Sequence, residues 1–205
     1  SFKSQILQKE TKKFITVSRI SRIKRIEDVI ELAYILKKRN KIFDFKIIGD
    51  ILDIEYFKEL QHKVDRYDLN NYIKFVGKVP SYYVKNYLSK ADIFIHTGNT
   101  GSLDKTVLEA MASGLAPVIS DEIDSDKYVE DGINGFVIKP DSDLLAQKLE
   151  QLIINKDLRV EFGQKSQERA QMYFDIDKWG KIYGDIYRHI LNGEKLPKDF
   201  LEYGS

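Results

Sequence analysis

The sequence predicts an α/β protein with a doubly wound parallel sheet and a helical segment at its C-terminal end. Two observations carry this prediction. Short β-prone runs alternate with helix patterns along most of the 205-residue chain, which is typical of parallel strands joined by helices. Near the middle, apolar runs at 93–95 and 116–119 flank a glycine-rich loop and a short helix pattern, which is the order of a βαβ unit.

The predicted strands are short runs of β-branched, aromatic and other apolar residues. In chain order they cover 14–18, 45–49, 73–77, 93–96, 118–119 and 136–138. The sixth follows the sequence DGING at 131–135, where glycine and asparagine suit a turn with positive φ.

The predicted helices are segments whose apolar residues recur at helical spacing. In chain order they cover 27–39, 54–67, 82–90, 107–111, 142–154, 160–172 and 175–191. The first begins with acids and ends with bases, the order that suits the helix dipole. The last is amphipathic, and the residues of its apolar stripe, most simply a packing face, are Trp179, Ile182, Tyr183, Ile186, Tyr187 and Ile190.

These elements predict one domain of ordinary size over 1–175, a closing helix over 176–191 and a tail over 192–205. The tail is polar and holds glycine and proline, so we expect it to be loosely held.

Composition excludes several classes of protein. The chain has no cysteine, which rules out disulfides and thiolate metal sites and fits a reducing compartment. No apolar run approaches the roughly 20 residues of a membrane-spanning helix. The first residues are polar and charged, unlike a signal peptide, so we expect a cytoplasmic protein. A net charge of +1 gives no indication of a nucleic-acid partner.

The first 46 residues are basic, with 13 Lys and Arg against 5 Asp and Glu. Either this charge is a solvated lysine-rich surface, or part of it faces a pyrophosphate or an anionic membrane. The sequence leaves both open.

The central glycine-rich loop predicts an anion site at the carboxyl edge of the sheet. The backbone N–H groups from Asp104 to Thr106 are expected to be the unpaired first donors of the following helix, and the helix dipole favours a phosphate there. Lys105 adds a mobile positive charge, and Glu109 lies about one turn further into the helix.

The segment VLEAMASGLAPVIS resembles the nucleotide-sugar signature of retaining GT-B glycosyltransferases of the group 1 (GT4) family. That family has two glutamates eight positions apart, with Phe-Gly after the first. Glu109 matches the second glutamate. Gly101 stands at the place of the first, and Asp104 at the place of the family's glycine.

Further blocks occur in the family's order. VSRISRIKR resembles the block in which an arginine and a lysine reach the donor phosphates, and the matching residues are Ser18, Arg19 and Lys24. IKFVGKVP resembles the block whose backbone contacts the nucleobase, at Gly77, Lys78 and Val79. EDGINGFVIKPDS resembles the block after the donor site, and DIDKWGKIYGDIY resembles the last helix, which crosses to the partner domain.

The resemblance implies the Rossmann-like, donor-binding half of a GT-B enzyme. Such an enzyme transfers a hexose, with retention, from a UDP- or GDP-sugar to an acceptor held by an N-terminal domain that this chain lacks. It needs no cofactor and no bound metal, and the chain alone should be inactive. Peripheral membrane association of the whole protein is compatible with the resemblance. The alternative is an inactive nucleotide-sugar-binding or scaffold module, favoured by Gly101. A dehydrogenase is disfavoured because the first βα loop has no GxGxxG.

The resemblance also assigns roles. Arg19 and Lys24 stabilise the charge that develops on the diphosphate, unless both merely cap the sheet edge. Glu109 accepts from the ribose hydroxyls, unless it is a surface glutamate. Lys105 and Thr106 offer backbone N–H groups to the phosphates, unless they are an ordinary helix start. Thr100, Gly101 and Ser102 approach the sugar ring closely, since glycine has no side chain.

The sequence allows two interpretations of Asp104 and does not decide between them. It either supplies a carboxylate to the sugar hydroxyls or the reaction centre, or it caps the helix. Two other features receive simpler interpretations. His96 ends the fourth strand and, without metal-ligand spacing, is expected to be structural. The acidic cluster after the fifth strand is expected to be a solvated loop rather than a cation site: Asp121, Glu122, Asp124 and Asp126.

Overall fold

The computed structural model describes residues 11–99, 104–121, 128–139, 141–174 and 176–195. Its strands are β1 Lys12–Val17, β2 Phe43–Ile48, β3 Ile73–Gly77, β4 Ile93–His96, β5 Ala116–Ser120 and β6 Phe136–Ile138. Its α-helices are α1 Ile26–Lys38, α2 Ile54–Arg66, α3 Ser81–Leu88, α4 Lys105–Ala112, α5 Ser142–Ile154, α6 Lys156–Phe174 and α7 Ile176–Leu191. Each predicted element is present, with ends shifted by a few residues.

The six strands form one parallel sheet in the order β3-β2-β1-β4-β5-β6. The predicted doubly wound parallel sheet is therefore confirmed. The strand order reverses between β1 and β4, which pair in parallel with Phe14 opposite Ile93. In open α/β sheets the crevice at the carboxyl ends of such a pair is the usual ligand site.

The core has two parts, one on each face of the sheet. Neighbouring residues of a strand point to opposite faces, so Phe14 packs with α1, α2 and α5 while Ile15 packs with α3 and α4. Both side chains are 1% exposed. Because both faces are covered, the inner strands β4 and β5 are buried at every position, as expected for a parallel sheet.

Helix α7 forms as predicted, but its apolar stripe is largely open among the described residues. Tyr183, Tyr187 and Ile190 of this stripe are 54%, 64% and 58% exposed. The division of the chain into a domain, a crossing helix and a tail stays a prediction, and residues 196–205 lie outside the described ranges. Within those ranges, no helix combines the length and hydrophobicity needed to cross a bilayer.

Gly49 lets the first two strands approach each other beyond their ends. A Cβ atom added there would lie 1.8 Å from the carbonyl oxygen of Ser18, a backbone atom that cannot move aside cheaply. Gly49 also donates its N–H to the carbonyl of Gly77, the last residue of β3, at 3.0 Å.

We predict that Gly49→Ala lowers the free energy of unfolding by about 3 kcal/mol, because the new methyl group collides with backbone. The matched control is Gly180→Ala in α7, where an added Cβ meets nothing within 4 Å. That change should stabilise the protein by roughly 0.5–1 kcal/mol, since alanine favours a helix. Urea denaturation measures both, and equal stability of the two variants would contradict the prediction.

Candidate functional site

The loops after β1 and β4 are tied together at the point where the strand order reverses. The loop after β1 contains a short 3-10 turn, Arg22–Lys24. The hydroxyl of Thr97, just after β4, lies 3.2 Å from the carbonyl oxygen of Lys24 and 3.0 Å from that of Arg25, and donates to them. Asn99 donates its N–H to the carbonyl of Ile23 at 2.9 Å. These bonds fix the backbone that carries Lys24.

Lys24 reaches from this loop to the amino end of α4. Its ammonium nitrogen lies 2.6 Å from Oδ2 of Asp104, and its side chain is 7% exposed. Asp104 is the N-cap of α4, because its Oδ1 accepts from the Thr106 N–H at 3.1 Å and from the Thr106 hydroxyl at 2.9 Å. The capping interpretation of Asp104 is therefore observed, whereas a contact with sugar stays a prediction.

The expectation that the first N–H groups of α4 are all unpaired is wrong at one position. The Thr106 N–H is taken by Asp104, while the Lys105 N–H has no hydrogen-bond partner among the described residues. Burial is the largest single effect on Asp104 and disfavours its charged form, but the hydrogen bonds from Lys24 and Thr106 and the neighbouring positive charge together outweigh it, so the pKa of this carboxyl is lowered. The pair is therefore ionic at neutral pH.

His96 closes the buried side of this cluster. It is 1% exposed, and neither ring nitrogen has a hydrogen-bond partner in the described part of the chain. Its Nε2 lies 3.5 Å from Oδ2 of Asp104. Burial, and then the charge of Lys24, lower the pKa of His96 to about 4 against an opposing effect of Asp104, so the ring is neutral at pH 7. The sequence placed His96 near the site but did not connect it to Lys24.

The proximity of His96 and Lys24 does leave one signal in the sequence, which is Gly98. A Cβ atom at Gly98 would lie 3.0 Å from His96 Nε2 and 3.1 Å from Cδ of Lys24, which is tighter than ordinary contacts. A glycine two residues after a strand-ending histidine therefore leaves room for a long side chain from another loop.

The structure shows the positions of the other residues predicted to bind phosphate and ribose, but among the described residues their side chains form no hydrogen bond or ion pair with Lys24 or Asp104. The Arg19 side chain is exposed and makes no hydrogen bond or ion pair with the described residues. Ser18 is buried, with 7% exposure. Glu109 and Lys105 are exposed on α4, and partial loss of hydration, followed by the charge of Asp104, raises the pKa of Glu109.

The predicted nucleobase segment begins where β3 ends. Gly77 has φ of +83°, a conformation that favours glycine. The exposed Lys78 forms a 2.7 Å ion pair with Asp50. An apolar cavity of about 180 Å³ opens at these strand ends, and its lining includes Ile20, Phe75, Val76 and Gly77. Its apolar walls and open backbone suit a planar ring.

Some predicted residues cannot be placed. Thr100, Gly101, Ser102 and most of the acidic cluster after β5 lie outside the described residues. Within the described residues, no group of three His, Asp or Glu side chains could hold a metal ion.

A larger concavity of about 330 Å³ lies elsewhere, between the starts of β1 and β2 and helix α3. Its lining includes Lys13, Lys46, Lys90 and Tyr83, and none of the predicted site residues. We place the candidate site at the carboxyl edge because a buried ion pair, a helix amino end and a buried histidine converge there.

The neutral burial of His96 makes stability depend on pH. Its pKa is about 4 when folded and 6.5 in its ordinary state, so between these values the unfolded chain binds a proton that the folded chain does not. Stability from this group is therefore lost as the pH falls. We predict a loss of about 2 kcal/mol between pH 7 and pH 5.

This pH-dependent loss of stability is measured by urea denaturation at pH 7 and pH 5. The proteins compared are wild type, His96→Leu and the control His62→Gln. His62 is exposed, so its variant should follow wild type, whereas His96→Leu should lose about 2 kcal/mol less on acidification. The same acid loss in His96→Leu as in wild type would contradict the assignment.

The sequence is similar to a family model and to known proteins. The sequence model described as glycosyl transferases group 1 matches residues 1–169. An uncharacterized glycosyltransferase of Methanocaldococcus jannaschii is 30% identical over 184 residues, covering 88% of this chain and 46% of that protein. An alpha-monoglucosyldiacylglycerol synthase of Acholeplasma laidlawii is 30% identical over 131 residues, covering 64% of this chain and 32% of that protein. The chain thus spans less than half the length of either relative.

Solved structures agree on the fold. The C-terminal domain of a glycosyl transferase group 1 family protein from Francisella tularensis matches with a TM-score of 0.74 and 27% identity, covering 81% of this chain and 88% of that one. Anabaena HepE, solved in complex with UDP, matches with a TM-score of 0.80 and 22% identity, covering 87% and 49%. With a family model matched over most of its length, the chain belongs to the group 1 glycosyltransferases.

Proposed function

We propose that the chain is the donor-binding part of a retaining hexosyltransferase that uses a nucleotide-activated sugar. The observation that carries the proposal is the Lys24 ammonium, buried at the amino end of α4 where the strand order reverses. A cation and a helix amino end at this crevice suit a phosphate group. Neighbouring charges of this kind stabilise a diphosphate leaving group.

The reaction needs positive charge beside the leaving diphosphate. When the bond between the sugar and the diphosphate breaks, the sugar becomes oxocarbenium-like and negative charge grows on the diphosphate. Lys24 supplies a fixed point charge, and the exposed Arg19 supplies a mobile guanidinium that can bind two phosphate oxygens. The Lys105 N–H, which has no partner among the described residues, and the dipole of α4 add partial positive charge. These groups favour the transition state over the ground state.

The rest of the donor fits around this centre. The backbone of Gly77, Lys78 and Val79, beside the apolar cavity, holds the nucleobase. Glu109 accepts hydrogen bonds from the ribose hydroxyls. Gly101 and Ser102 lie against the sugar ring. The donor is a substrate, and no cofactor or metal is part of the proposal.

The acceptor binds elsewhere. Since the chain spans less than half of its relatives, we propose that an N-terminal domain holds the acceptor, that 176–191 is the helix crossing to it, and that the chain alone is inactive. The whole protein acts in the cytoplasm. A relative named as a synthase of a glucosyl lipid supports an acceptor at a membrane surface and peripheral association of the whole protein.

A second candidate is a nucleotide-sugar-binding module without transferase activity. Two observations favour it: Gly101 replaces a glutamate of the family, and both Asp104 oxygens are already bonded within the protein. Sugar transfer by the full-length protein, measured for wild type and Glu109→Gln, separates the two. A wild type that binds donor but transfers no sugar in a broad acceptor panel supports the module.

The first prediction from the proposed function is selective binding of one nucleotide. Thermal shift with UDP, GDP, their hexose conjugates and NAD should show stabilisation by one base family and none by NAD. A ligand at about 100 times its Kd adds roughly 2.7 kcal/mol, which raises the Tm by roughly 5–10 °C. Stabilisation by NAD alone, or by none of the nucleotides, would sink the donor-site assignment.

The second prediction concerns the ribose. Glu109→Gln should weaken binding of the preferred nucleoside diphosphate about tenfold, because a charged acceptor is lost. The control Glu161→Gln removes an exposed carboxylate from α6 and should leave the affinity unchanged. Calorimetry with the 2′-deoxy and 3′-deoxy diphosphates completes the test. At least one of them should bind wild type and Glu109→Gln equally, and an undiminished difference with both would show that Glu109 acts elsewhere.

A further inference from the structure

The Asp104 carboxylate joins two elements with its two oxygens. Oδ1 accepts from Thr106 at the start of α4, and Oδ2 accepts from the ammonium of Lys24 on the loop after β1. The carboxylate is therefore a bridge between the helix end and the cation. With both oxygens bonded inside the protein, it is poorly placed to take hydroxyl protons from a sugar.

Lys24 is held in one orientation by this bridge. Its side chain is 7% exposed, with Gly98 and His96 as close neighbours. An ammonium has three donors, and its one hydrogen bond within the described residues is to Asp104. Its two other N–H bonds meet no acceptor among the described residues, so they can serve a ligand at the amino end of α4. A lysine is otherwise a flexible side chain that loses rotamer entropy on binding.

We propose that Asp104 is a positioning residue for phosphate recognition, which fixes the Lys24 ammonium at the amino end of α4 before the donor arrives. The proposal rests on the proposed function, since it requires a diphosphate in this crevice. A lysine held by a carboxylate and aimed at phosphates is also how protein kinases arrange their nucleotide site. In this chain the carboxylate stands where the resemblance places a glycine.

The opposite effect is physically reasonable and can be tested. A carboxylate beside a phosphate repels it, so Asp104 could compete with the ligand for Lys24 and Thr106. The sign of the change in Asp104→Asn distinguishes the two. Positioning predicts weaker phosphate binding in the variant, and competition predicts tighter binding.

The experiment is a double-mutant cycle on the 205-residue chain, with UDP and GDP, and with uridine and guanosine as phosphate-free ligands. Lys24→Met should weaken diphosphate binding about thirtyfold and Asp104→Asn about tenfold, by calorimetry. The double variant should match Lys24→Met within twofold, because Asp104 acts through Lys24. Nucleoside affinity should stay within twofold throughout, which a general loss of structure would not allow.

The matched control is Glu161→Gln with Lys165→Met. This ion pair has the same 2.6 Å separation but is exposed on α6, and its variants should bind as wild type does. If Asp104→Asn does not fold, Asp104→Ser keeps a capping oxygen without the charge and takes its place. The double variant removes both charges and should fold.

The outcomes are distinct. A wild type that binds neither UDP nor GDP overturns the proposed function. A wild type that binds, with an Asp104→Asn variant that binds equally or more tightly, overturns positioning alone. Additive effects of Lys24→Met and Asp104→Asn also overturn it, because they show that the two side chains act independently.

Discussion

A charged ammonium can be buried only if a partner replaces the water it loses, and this constraint shapes the candidate site. Lys24 is nearly enclosed by protein, and Asp104 is its partner at 2.6 Å. Breaking such a pair by removing one member typically costs about 3–5 kcal/mol, because the other charge is left unpaired. The surrounding residues fit this requirement: Thr97 fixes the backbone that carries Lys24, Thr106 orients the carboxylate, and Gly98 leaves room for the lysine stem.

The sheet topology makes the pair possible. Lys24 and Asp104 are 80 positions apart, yet both follow strands that are neighbours in the sheet. Parallel strands place all their carboxyl ends at one edge, so the loops after β1 and β4 meet where the strand order reverses. The same rule explains the position of Gly49, which follows β2 and contacts Ser18 after β1 and Gly77 at the end of β3. Residues distant in sequence thus share a site because of strand order.

The fold could be predicted because its signals are local. The bounds of β3 and β4 agree with the apolar runs at 73–77 and 93–96, and α5 agrees with the helical spacing over 142–154. The site could be predicted only in part. Spacing singled out Lys24 and Asp104 one by one, but not their ion pair, since side-chain contacts between distant loops leave no mark in local pattern. The requirement for glycine at 49 leaves no local signal for the same reason: it arises from the carbonyl of Ser18, just after another strand.

The sequence departs from the family pattern at Gly101 and Asp104, and the contacts of Asp104 show a physical consequence of this difference. Before Glu109, the family pattern has one carboxylate, at the place of Gly101. This chain also has one carboxylate in this segment, but it is Asp104, three positions further along. That shift moves the carboxylate from the loop to the helix cap, where the orphan N–H of Thr106 and the Lys24 ammonium both bind it. In the proposed donor site, the carboxylate at the cap orients the Lys24 ammonium toward the phosphates instead of contacting the sugar. If the donor site has kept its chemistry, recognition of the sugar must then rest more on backbone and hydroxyl groups, while recognition of the diphosphate rests on a charge already held in place.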